Sequence, residues 1–331
     1  MTAPQLRKDP VVDRWVFVSP ERGARPLESR VPPLADRGGP CPFCEGQERE
    51  TPHEIAAVRD ASTLPDSPGW QVRVVPNMYP AARIASTARS RDDELFAARP
   101  GVGVHEVVLE CPRHETSFAR LSVDQARRVF DIYRQRLRAL TPDERLAYVQ
   151  VFKNHGAGAG ASVTHAHSQI LGLALVPREL RAEYGGAEAY HARHGHCIYC
   201  DLIARETASG ERLVWAGEHV VAVCAWAGRF PYETWVLPRR HGGHFADASA
   251  AEMAEVAEVM HRLVARIGEL VEDPPYNYLL HELPLRAAES PAYHWHWELL
   301  PRLTGVAGFE LAGGTFLNPL PPEEAAARLR S

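Results

Sequence analysis

The sequence feature that most constrains the fold is an internal repeat, because two successive segments carry the same kinds of residue in the same order. Each segment begins with a Cys-x-x-Cys pair, first Cys41 and Cys44, then Cys197 and Cys200. Each continues with strand-like runs, a Pro-Arg-(Arg)-His element, a helix, a further strand and a closing His-x-His. A chain repeated in this way is expected to fold as two similar units that pack on each other.

Hydrophobic periodicity predicts the elements of each half. Helices are expected after Ser122 and after Ser249, which form capping boxes with Gln125 and Glu252 respectively. Strands are predicted at His105–Cys111, Tyr148–Phe152 and Ile170–Val176 in the first half, and at His219–Ala225, Glu233–Leu237, Tyr276–Leu280 and Trp297–Leu300 in the second. We interpret residues 178–196 as a linker and residues 46–69 as an extra loop, and we expect two domains, residues 1–185 and 186–331.

The repeat predicts a zinc site in the first half. Two thiolates and two imidazoles are a ligand set that structural zinc prefers, and the repeat assigns these roles to Cys41, Cys44, His114 and His165. A redox motif is the alternative interpretation of a lone Cys pair. The two remaining cysteines, Cys111 and Cys224, lie in apolar runs and are expected to be buried thiols.

A second metal site is predicted in the second half, with two candidate ligand sets. The repeat assigns zinc to Cys197, Cys200, His241 and His294. A competing set, Glu183, His281, His294 and His296, offers harder ligands that suit iron or zinc. We prefer the thiolate set, because the spacing of the second Cys pair otherwise has no explanation. One or two Zn²⁺ ions per chain are therefore expected, with iron as the alternative at the second site.

The segment from Phe152 to Gln169 combines a glycine-rich turn with a His-x-His strand. Glycines allow the backbone to approach a ligand closely, and exposed N–H groups together with Ser162 are suited to phosphate oxygens. Strand alternation places His165 and His167 on one face, so a metal at His165 would fix His167 beside the turn. A neutral imidazole is nucleophilic near pH 7. We therefore predict that His167 is a covalent nucleophile at phosphorus, with its ring oriented by the carbonyl of His165.

These residues resemble the active-site signature of the galactose-1-phosphate uridylyltransferases, a branch of the histidine-triad superfamily. The resemblance extends over almost the whole chain, through Arg22-Gly-Ala-Arg25-Pro, the Cys41 knuckle and Pro112-Arg-His114. It implies an α+β fold of two fused histidine-triad-like halves, each an antiparallel sheet with packed helices. It further implies that substrate is bound by Arg22, Arg25, Asn77, Asn154, Gly160, Ser162, Gln169, Phe309 and Glu310.

The resemblance also implies a ping-pong reaction. His167 would take UMP from UDP-glucose, glucose 1-phosphate would leave, and a second sugar 1-phosphate would collect the uridylyl group. Ser162 and Gln169 are expected to assist. Gln169 stands where hydrolase branches of the superfamily have a third His, and an amide serves as neither acid nor base, which favours a persistent intermediate over hydrolysis.

The sugar end of the sequence departs from the family pattern. Thr304 stands where a Lys is usual, Phe309 replaces a Tyr, and the run Gly313 to Leu320 is more similar to the ADP-glucose phosphorylase branch. A nucleoside-diphosphate-sugar phosphorylase, with phosphate as the acceptor for the same histidine, is therefore the alternative to a hexose-1-phosphate uridylyltransferase. A non-catalytic zinc protein is a third interpretation, disfavoured by the acidic charge and by the long gap between the Cys pairs.

Composition limits the partners of the protein. The formal net charge is −5, so no basic surface for nucleic acid is expected. The sequence contains no stretch long enough and apolar enough to span a membrane, and its first ten residues contain no apolar run like that of a signal peptide. We expect a cytoplasmic enzyme that acts on a UDP-sugar and a sugar 1-phosphate. The family resemblance implies a homodimer.

Overall fold

The structure is a computed structural model of the chain, and it describes residues 3–24 and 39–331. In these ranges thirteen strands and six α-helices follow one another along the chain. The strands are β1 (Gln5–Lys8), β2 (Trp15–Val18), β3 (Ala56–Arg59), β4 (Trp70–Pro76), β5 (Gly103–Leu109), β6 (Tyr148–His155), β7 (His167–Leu173), β8 (Leu213–Ala216), β9 (Val220–Cys224), β10 (Thr234–Pro238), β11 (Tyr276–His281), β12 (His296–Pro301) and β13 (Phe316–Asn318). The helices are α1 (Val123–Leu140), α2 (Arg178–His194), α3 (Ile198–Ser209), α4 (Ala250–Leu270), α5 (Gly308–Gly313) and α6 (Pro322–Arg330).

One antiparallel sheet of ten strands runs through both halves, in the order β3-β4-β5-β7-β6-β11-β12-β10-β9-β8. The first five strands belong to the first half and the last five to the second. Read inward from either edge, the order is the same, with β6 and β11 meeting at the centre. The repeat in the sequence therefore appears as an approximate two-fold symmetry, and the two expected sheets are continuous because β6 pairs with β11.

The two amphipathic helices α1 and α4 lie side by side on one face of this sheet. Their apolar sides pack on residues of β7 and β12 that point to that face, including Ile170, Trp297 and Leu299. Both helices begin at the predicted serines: Ser122 accepts a hydrogen bond from the backbone of Gln125, and Ser249 makes the reciprocal capping box with Glu252. The Gln125 side chain donates instead to the carbonyls of Gln71 and Glu110, so the first cap is only half of a capping box.

The opposite face of the sheet is covered differently in the two halves. In the second half, α2 and α3 pack over β9 and β10 through a separate apolar cluster that includes Ile203, Val221 and Leu237. In the first half, Phe43 of the Cys41 knuckle packs on a small cluster around Trp70 and Leu109. Since alternate residues of β7 point to opposite faces, His167 and Gln169 lie on this second face, away from α1.

Two sequence interpretations need correction. The linker predicted at residues 178–196 is largely helical, because α2 occupies Arg178–His194. The extra loop of residues 46–69 contains the edge strand β3. This loop is tied to β4 by Arg73, whose guanidinium lies 2.7 Å from Asp66 and 3.2 Å from Glu54. The domain boundary at residues 185 and 186 falls within α2 and stays a prediction.

A small sheet of β1, β2 and β13 joins the two ends of the described chain. Strand β13 runs parallel to β2, with Phe316 opposite Val16. Among residues 3–24 and 39–331, no helix is long and apolar enough to cross a membrane.

Candidate active site and metal centres

The first Cys/His group assembles from three separate parts of the chain. The Cys41 knuckle is a turn in which the Cys44 N–H donates to the Cys41 carbonyl, and the Glu45 N–H ties it to the Pro112 carbonyl. His114 follows β5, and His165 precedes β7. The Cys44 sulfur lies 3.6 Å from Nδ1 of both His114 and His165. The four potential ligand atoms lie within 4.8 Å of one another, so the group could hold a tetrahedral metal ion.

The protonation of this group suits a metal. His165 donates from Nε2 to the Cys111 carbonyl at 2.9 Å, which leaves the Nδ1 lone pair facing the cysteines. Burial lowers the pKa of His165 to about 4, and the nearby His114 lowers it further, so the ring is neutral at pH 7. Burial and the adjacent Cys41 raise the pKa of Cys44 to about 11. A divalent cation would counter this repulsion between sulfurs, so these residues fit zinc as a structural ion.

The second Cys/His group repeats this arrangement. His294 Nδ1 lies 3.4 Å from the Cys197 sulfur, and His241 Nδ1 lies 3.7 Å from the Cys200 sulfur. His241 donates from Nε2 to the Ser290 carbonyl at 2.9 Å. The pKa of Cys200 is lowered to about 3 by its hydrogen bond with Cys197 and then by that with His294. The group thus presents a ready thiolate, which also suits a zinc ion.

The alternative set for the second site does not form a single group, because His294 belongs to the cysteines. Glu183, His281 and His296 form a separate buried cluster, which by itself could also hold a metal ion. Glu183 lies 2.6 Å from His281 Nδ1 and 3.4 Å from His296 Nε2. Burial favours the neutral form of His281, but the Glu183 and Glu298 carboxylates together outweigh it and raise the pKa of His281.

His167 begins β7 and is only 6% exposed. It donates from Nδ1 to the His165 carbonyl at 2.8 Å, the bond anticipated from the sequence, and this leaves the Nε2 lone pair free. Burial lowers the pKa of His167, and the positive charge of Lys153 lowers it further. The ring is therefore neutral at pH 7, oriented by its own strand and able to act as a nucleophile.

A buried ion pair lies directly behind His167, and sequence reasoning missed it. Lys153 Nζ donates to the Glu110 carboxylate at 2.7 Å and to the His167 carbonyl at 2.9 Å. Both side chains are buried, with side-chain exposures of 1% and 0%. Tyr133 lies next to Glu110 in the same buried region, and its hydroxyl donates to Ser168, the residue after His167, at 2.6 Å. In the sequence, the pair was indicated only by the position of Glu110 and Lys153, two charged residues, within apolar strand-like runs.

The glycine-rich turn follows β6 and is shaped by two positive φ angles, 75° at Gly156 and 85° at Gly160. The Ala161 N–H closes the turn on the Gly156 carbonyl. A Cβ on Gly158 would lie 3.0 Å from the ring of Pro275, so the turn packs closely against the second half at this glycine. Ser162, beyond the turn, is exposed.

Three carboxamides lie around this end of the sheet. Asn154 is on β6 beside the turn, and its Nδ2 lies 3.8 Å from the position that a Cβ of Gly160 would take. Gln169 is on β7, on the same face as His167, and contacts His105 of β5 at 2.7 Å. Asn77 follows β4, and its backbone N–H donates to the His105 carbonyl. The structure therefore places Asn77 and Gln169 on opposite sides of His105.

The other substrate residues predicted from the resemblance are not brought into contact with His167. Arg22 is exposed and makes no side-chain hydrogen bond or ion pair to any described residue. Arg25 lies outside the described residues. Glu310 accepts the Ala307 N–H at 3.0 Å and so caps its own helix α5. Phe309 is 51% exposed, with its ring 6.4 Å from that of Phe17.

His296 corresponds to His167 in the repeat, but its surroundings exclude a second nucleophile of the same kind. The ring is completely buried beneath α2 and α3, where it lies near Glu183, and 5.2 Å from the ring of Tyr199. The second half also lacks the glycine turn, as the sequence indicates. His296 thus lacks both the small exposed fraction of His167 and the neighbouring glycine turn.

Comparison with known proteins identifies the family. Residues 1–177 match the family model described as galactose-1-phosphate uridyl transferase, N-terminal domain, and residues 183–331 match that of the C-terminal domain. Fold, site and family together define an enzyme of the nucleotidyltransferase class, built from two similar halves. Because the two matches extend over most of the sequence, the chain belongs to the galactose-1-phosphate uridyl transferase family.

Relatives from two branches match along nearly the whole chain. An ADP-glucose phosphorylase of Arabidopsis thaliana is 34% identical, covering 99% of this chain and 93% of its own. A crystal structure of an Arabidopsis thaliana ADP-glucose phosphorylase with bound ADP-glucose is 33% identical, covers 99% of both chains and superposes with a TM-score of 0.86. A galactose-1-phosphate uridylyltransferase of Thermotoga maritima is 28% identical, covering 98% of each chain.

Proposed function

We propose that the protein is a nucleoside-diphosphate-sugar phosphorylase that acts on ADP-glucose through a nucleotidylated His167. The observation that carries the covalent step is the state of His167, a buried neutral imidazole whose Nδ1 is committed to the His165 carbonyl. The free Nε2 is then the reacting atom, and the glycine turn with its neighbouring amides supplies donors to the phosphate oxygens.

The reaction proceeds in two steps at one phosphorus. His167 Nε2 bonds to the α-phosphorus of ADP-glucose while the bond from that phosphorus to the bridging oxygen breaks, and glucose 1-phosphate leaves. Inorganic phosphate then attacks the same phosphorus, the P–N bond breaks, and ADP is released with a neutral His167. Throughout, the His165 carbonyl accepts the Nδ1–H and so stabilises the positive charge that the modified ring carries.

Several residues support phosphate as the acceptor. The sugar end has Thr304 where a cation is usual in the uridylyltransferases, which removes a charged contact to a sugar 1-phosphate. Glu310 is engaged by its own helix and is not turned toward His167. A second Cys pair such as Cys197 and Cys200 also resembles the pattern of the phosphorylase branch. The 34% identity to an ADP-glucose phosphorylase supports the same choice.

A hexose-1-phosphate uridylyltransferase that transfers UMP from UDP-glucose to galactose 1-phosphate is the second candidate. The active-site signature in the sequence predicts this activity first, and relatives that are uridylyltransferases, at 27% to 28% identity, support it. Both candidates use the same covalent histidine, so they differ only in nucleotide and acceptor. The proposed partners are accordingly a nucleotide sugar with phosphate or a sugar 1-phosphate.

An acceptor assay separates the two candidates. The protein is incubated with ADP-glucose or UDP-glucose, and in each case with inorganic phosphate or galactose 1-phosphate. We expect ADP and glucose 1-phosphate from ADP-glucose and phosphate, at a rate at least about 100-fold above any transfer to galactose 1-phosphate, because a site built for one acceptor rejects another lacking its polar contacts. Formation of UDP-galactose as the main product would replace the phosphorylase with the uridylyltransferase.

We also propose a homodimer, as the family resemblance implies. Light scattering coupled to size-exclusion chromatography should give about twice the mass of the 36.7 kDa chain. A mass equal to a single chain at all protein concentrations would exclude the dimer.

A further inference from the structure

The carboxamides beside His167 have their oxygen atoms occupied by the protein itself. Gln169 Oε1 lies 2.7 Å from His105 Nε2, and Asn154 Oδ1 accepts a hydrogen bond of 2.8 Å from Asn277 Nδ2. Neither contacting residue belongs to the glycine turn or to the His-x-His strand. An amide whose oxygen is held in this way can offer only its NH₂ group to a ligand, so the two contacting residues determine what the site presents.

The orientation of the Gln169 amide follows from the tautomer of His105. The backbone N–H of Ala81 donates to His105 Nδ1 at 3.1 Å, and a backbone N–H is never an acceptor. Nδ1 is therefore unprotonated, and the proton of the neutral ring is on Nε2. This Nε2–H donates to Gln169, so the atom of the amide that faces His105 must be the oxygen. The NH₂ group of Gln169 points away from His105.

In this assignment Asn77 is not a hydrogen-bond partner of His105. Asn77 Oδ1 accepts the Tyr79 N–H at 2.8 Å, so its Nδ2 is the atom 3.3 Å from His105 Nε2. Both of these nitrogens carry hydrogens, and they cannot bond to each other. His105 Nε2 is thus left with Gln169 as its acceptor, and the hydrogens of Asn77 point elsewhere.

The orientation of the Asn154 amide follows from a carbonyl. Asn277, on β11 of the second half, donates from Nδ2 to the Ala159 carbonyl at 2.9 Å, and a carbonyl oxygen only accepts. Its Oδ1 faces Arg302 at 3.4 Å. Nδ2 of Asn277 is therefore the atom that donates to Asn154, and the accepting atom of Asn154 must be its oxygen. The NH₂ group of Asn154 is left on the side of Gly160.

We propose that His105 and Asn277 are positioning residues that hold the amides of Gln169 and Asn154 with their NH₂ groups toward the phosphates of the nucleotide sugar. This inference rests on the proposed covalent reaction at His167. Two fixed N–H donors suit phosphate oxygens, whereas a rotated amide would present an oxygen and repel them. Because Asn277 comes from β11, the second half thereby contributes to the phosphate site of the first.

The test measures formation of the covalent intermediate with ADP-glucose by rapid quench and intact mass, using two matched variants of His105. His105→Gln places an amide nitrogen the same number of bonds from Cβ as Nε2 and keeps the donor to Gln169. His105→Asn keeps an acceptor for the Ala81 N–H but cannot reach Gln169. We expect His105→Asn to be slower by about 10- to 100-fold, the effect of one hydrogen bond to a charged group, and His105→Gln to stay within about 3-fold of the parent.

A double-variant cycle excludes a purely structural role. In the Gln169→Ala background, His105→Asn should cause no further loss of rate, since the amide that it orients is gone. Gln169→Glu, which puts a carboxylate oxygen in place of the NH₂ group, should slow the step by at least about 100-fold. Parental rates for His105→Asn, equal losses for both His105 variants, or additive losses in the double variant would each overturn the inference for His105.

The Asn277 contact is tested in the same assay. Asn277→Asp has nearly the same shape but cannot donate, so Asn154 should rotate and present its oxygen to the turn, and the rate should fall by about 10-fold or more. An unchanged rate would remove Asn277 from the proposal. If the parent protein forms no intermediate with ADP-glucose or UDP-glucose, the proposed function itself fails, and that result is separate from these.

Discussion

At the scale of single residues, the proposed nucleophile His167 is held in place by groups that take no part in the proposed reaction. The His165 carbonyl fixes the ring of His167, while Lys153 holds the carbonyl of His167 from behind. Lys153 is in turn neutralised by Glu110 at 2.7 Å. Since an unpaired charge in a core is strongly unfavourable, this pair is suited to keeping the strand carbonyl in one place.

Replacing one partner of this pair should therefore be costly. Lys153→Met leaves the Glu110 carboxylate buried without a counter-charge, and we expect the free energy of unfolding to fall by about 3–5 kcal/mol. The measurement is denaturant unfolding of the purified protein with its metal bound. The control is the double variant Lys153→Met with Glu110→Gln, which should recover a substantial part of the loss. A single variant as stable as the parent would contradict the account.

The reactive histidine was accessible to sequence reasoning, but its supporting charges were not. His167 lies in a local pattern of glycines and paired histidines that few other chemistries require. Glu110 and Lys153 are 43 positions apart and meet only because β5, β7 and β6 are neighbours in the sheet. The substrate roles that the resemblance implies for Arg22 and Glu310 stay predictions, since the structure shows the first exposed and the second capping a helix.

At the scale of elements, the same strand pair gives a histidine that is 6% exposed in one half and a completely buried one in the other. The difference lies in α2 and α3, which cover the second face of the second half and bury His296. Among residues 3–24 and 39–177, what packs at the corresponding place in the first half is Phe43 of the Cys41 knuckle. We therefore expect that the elements packed on this face of the sheet determine why His167 reacts and His296 does not.

The N-cap hydrogen bonds of α1 and α4 differ, and this difference allows a quantitative prediction of how much each cap stabilises the fold. Ser249 makes a full capping box, in which the Glu252 carboxylate also accepts the Ser249 N–H at 2.7 Å, whereas Ser122 makes only the single bond to Gln125. We expect Ser249→Ala to lower the free energy of unfolding by about 1–2 kcal/mol and Ser122→Ala by about 1 kcal/mol or less. Equal or reversed losses in denaturant unfolding would contradict this ranking.

Element prediction succeeded where periodicity was strong and failed where close packing required an unusual residue. The seven predicted strands, found as β5, β6, β7, β9, β10, β11 and β12, and the two long helices, α1 and α4, lie within a few residues of their predicted positions. Helix α2 was interpreted as a linker, and it contains the pair Gly185-Gly186. The structure explains Gly186: a Cβ there would lie 1.8 Å from the Val11 carbonyl, so the helix needs a glycine to pack against the N-terminal segment. A tertiary contact of this kind leaves no local signal.

At the scale of the whole molecule, the repeat produces one sheet with a Cys/His group in each half. Each group joins a Cys-x-x-Cys turn to two histidines distant in sequence, so each closes long loops of the chain. A metal ion bound at such a group stabilises the fold because the unfolded chain does not hold the ligands together. The pairing of β6 with β11 then makes the two halves a single cooperative structure.

Metal content tests this arrangement. We expect about two zinc ions per chain by elemental analysis, one lost in a Cys41→Ser, Cys44→Ser variant and the other in a Cys197→Ser, Cys200→Ser variant. Removal with a chelator should lower the melting temperature of the parent by at least about 10 °C, since each ion contributes several kcal/mol. Iron in place of zinc, or an unchanged melting temperature after complete removal, would revise the metal assignment.

The most direct test of the central claim is the intact mass of the protein after mixing with ADP-glucose in the absence of phosphate, followed by peptide mapping. The parent should gain the mass of one adenylyl group, located on His167, and release one glucose 1-phosphate. His167→Gly should gain nothing, while His194→Ala, which changes an exposed histidine at the end of α2, should behave as the parent. An adduct on another residue, or none with either ADP-glucose or UDP-glucose, would contradict the covalent role of His167.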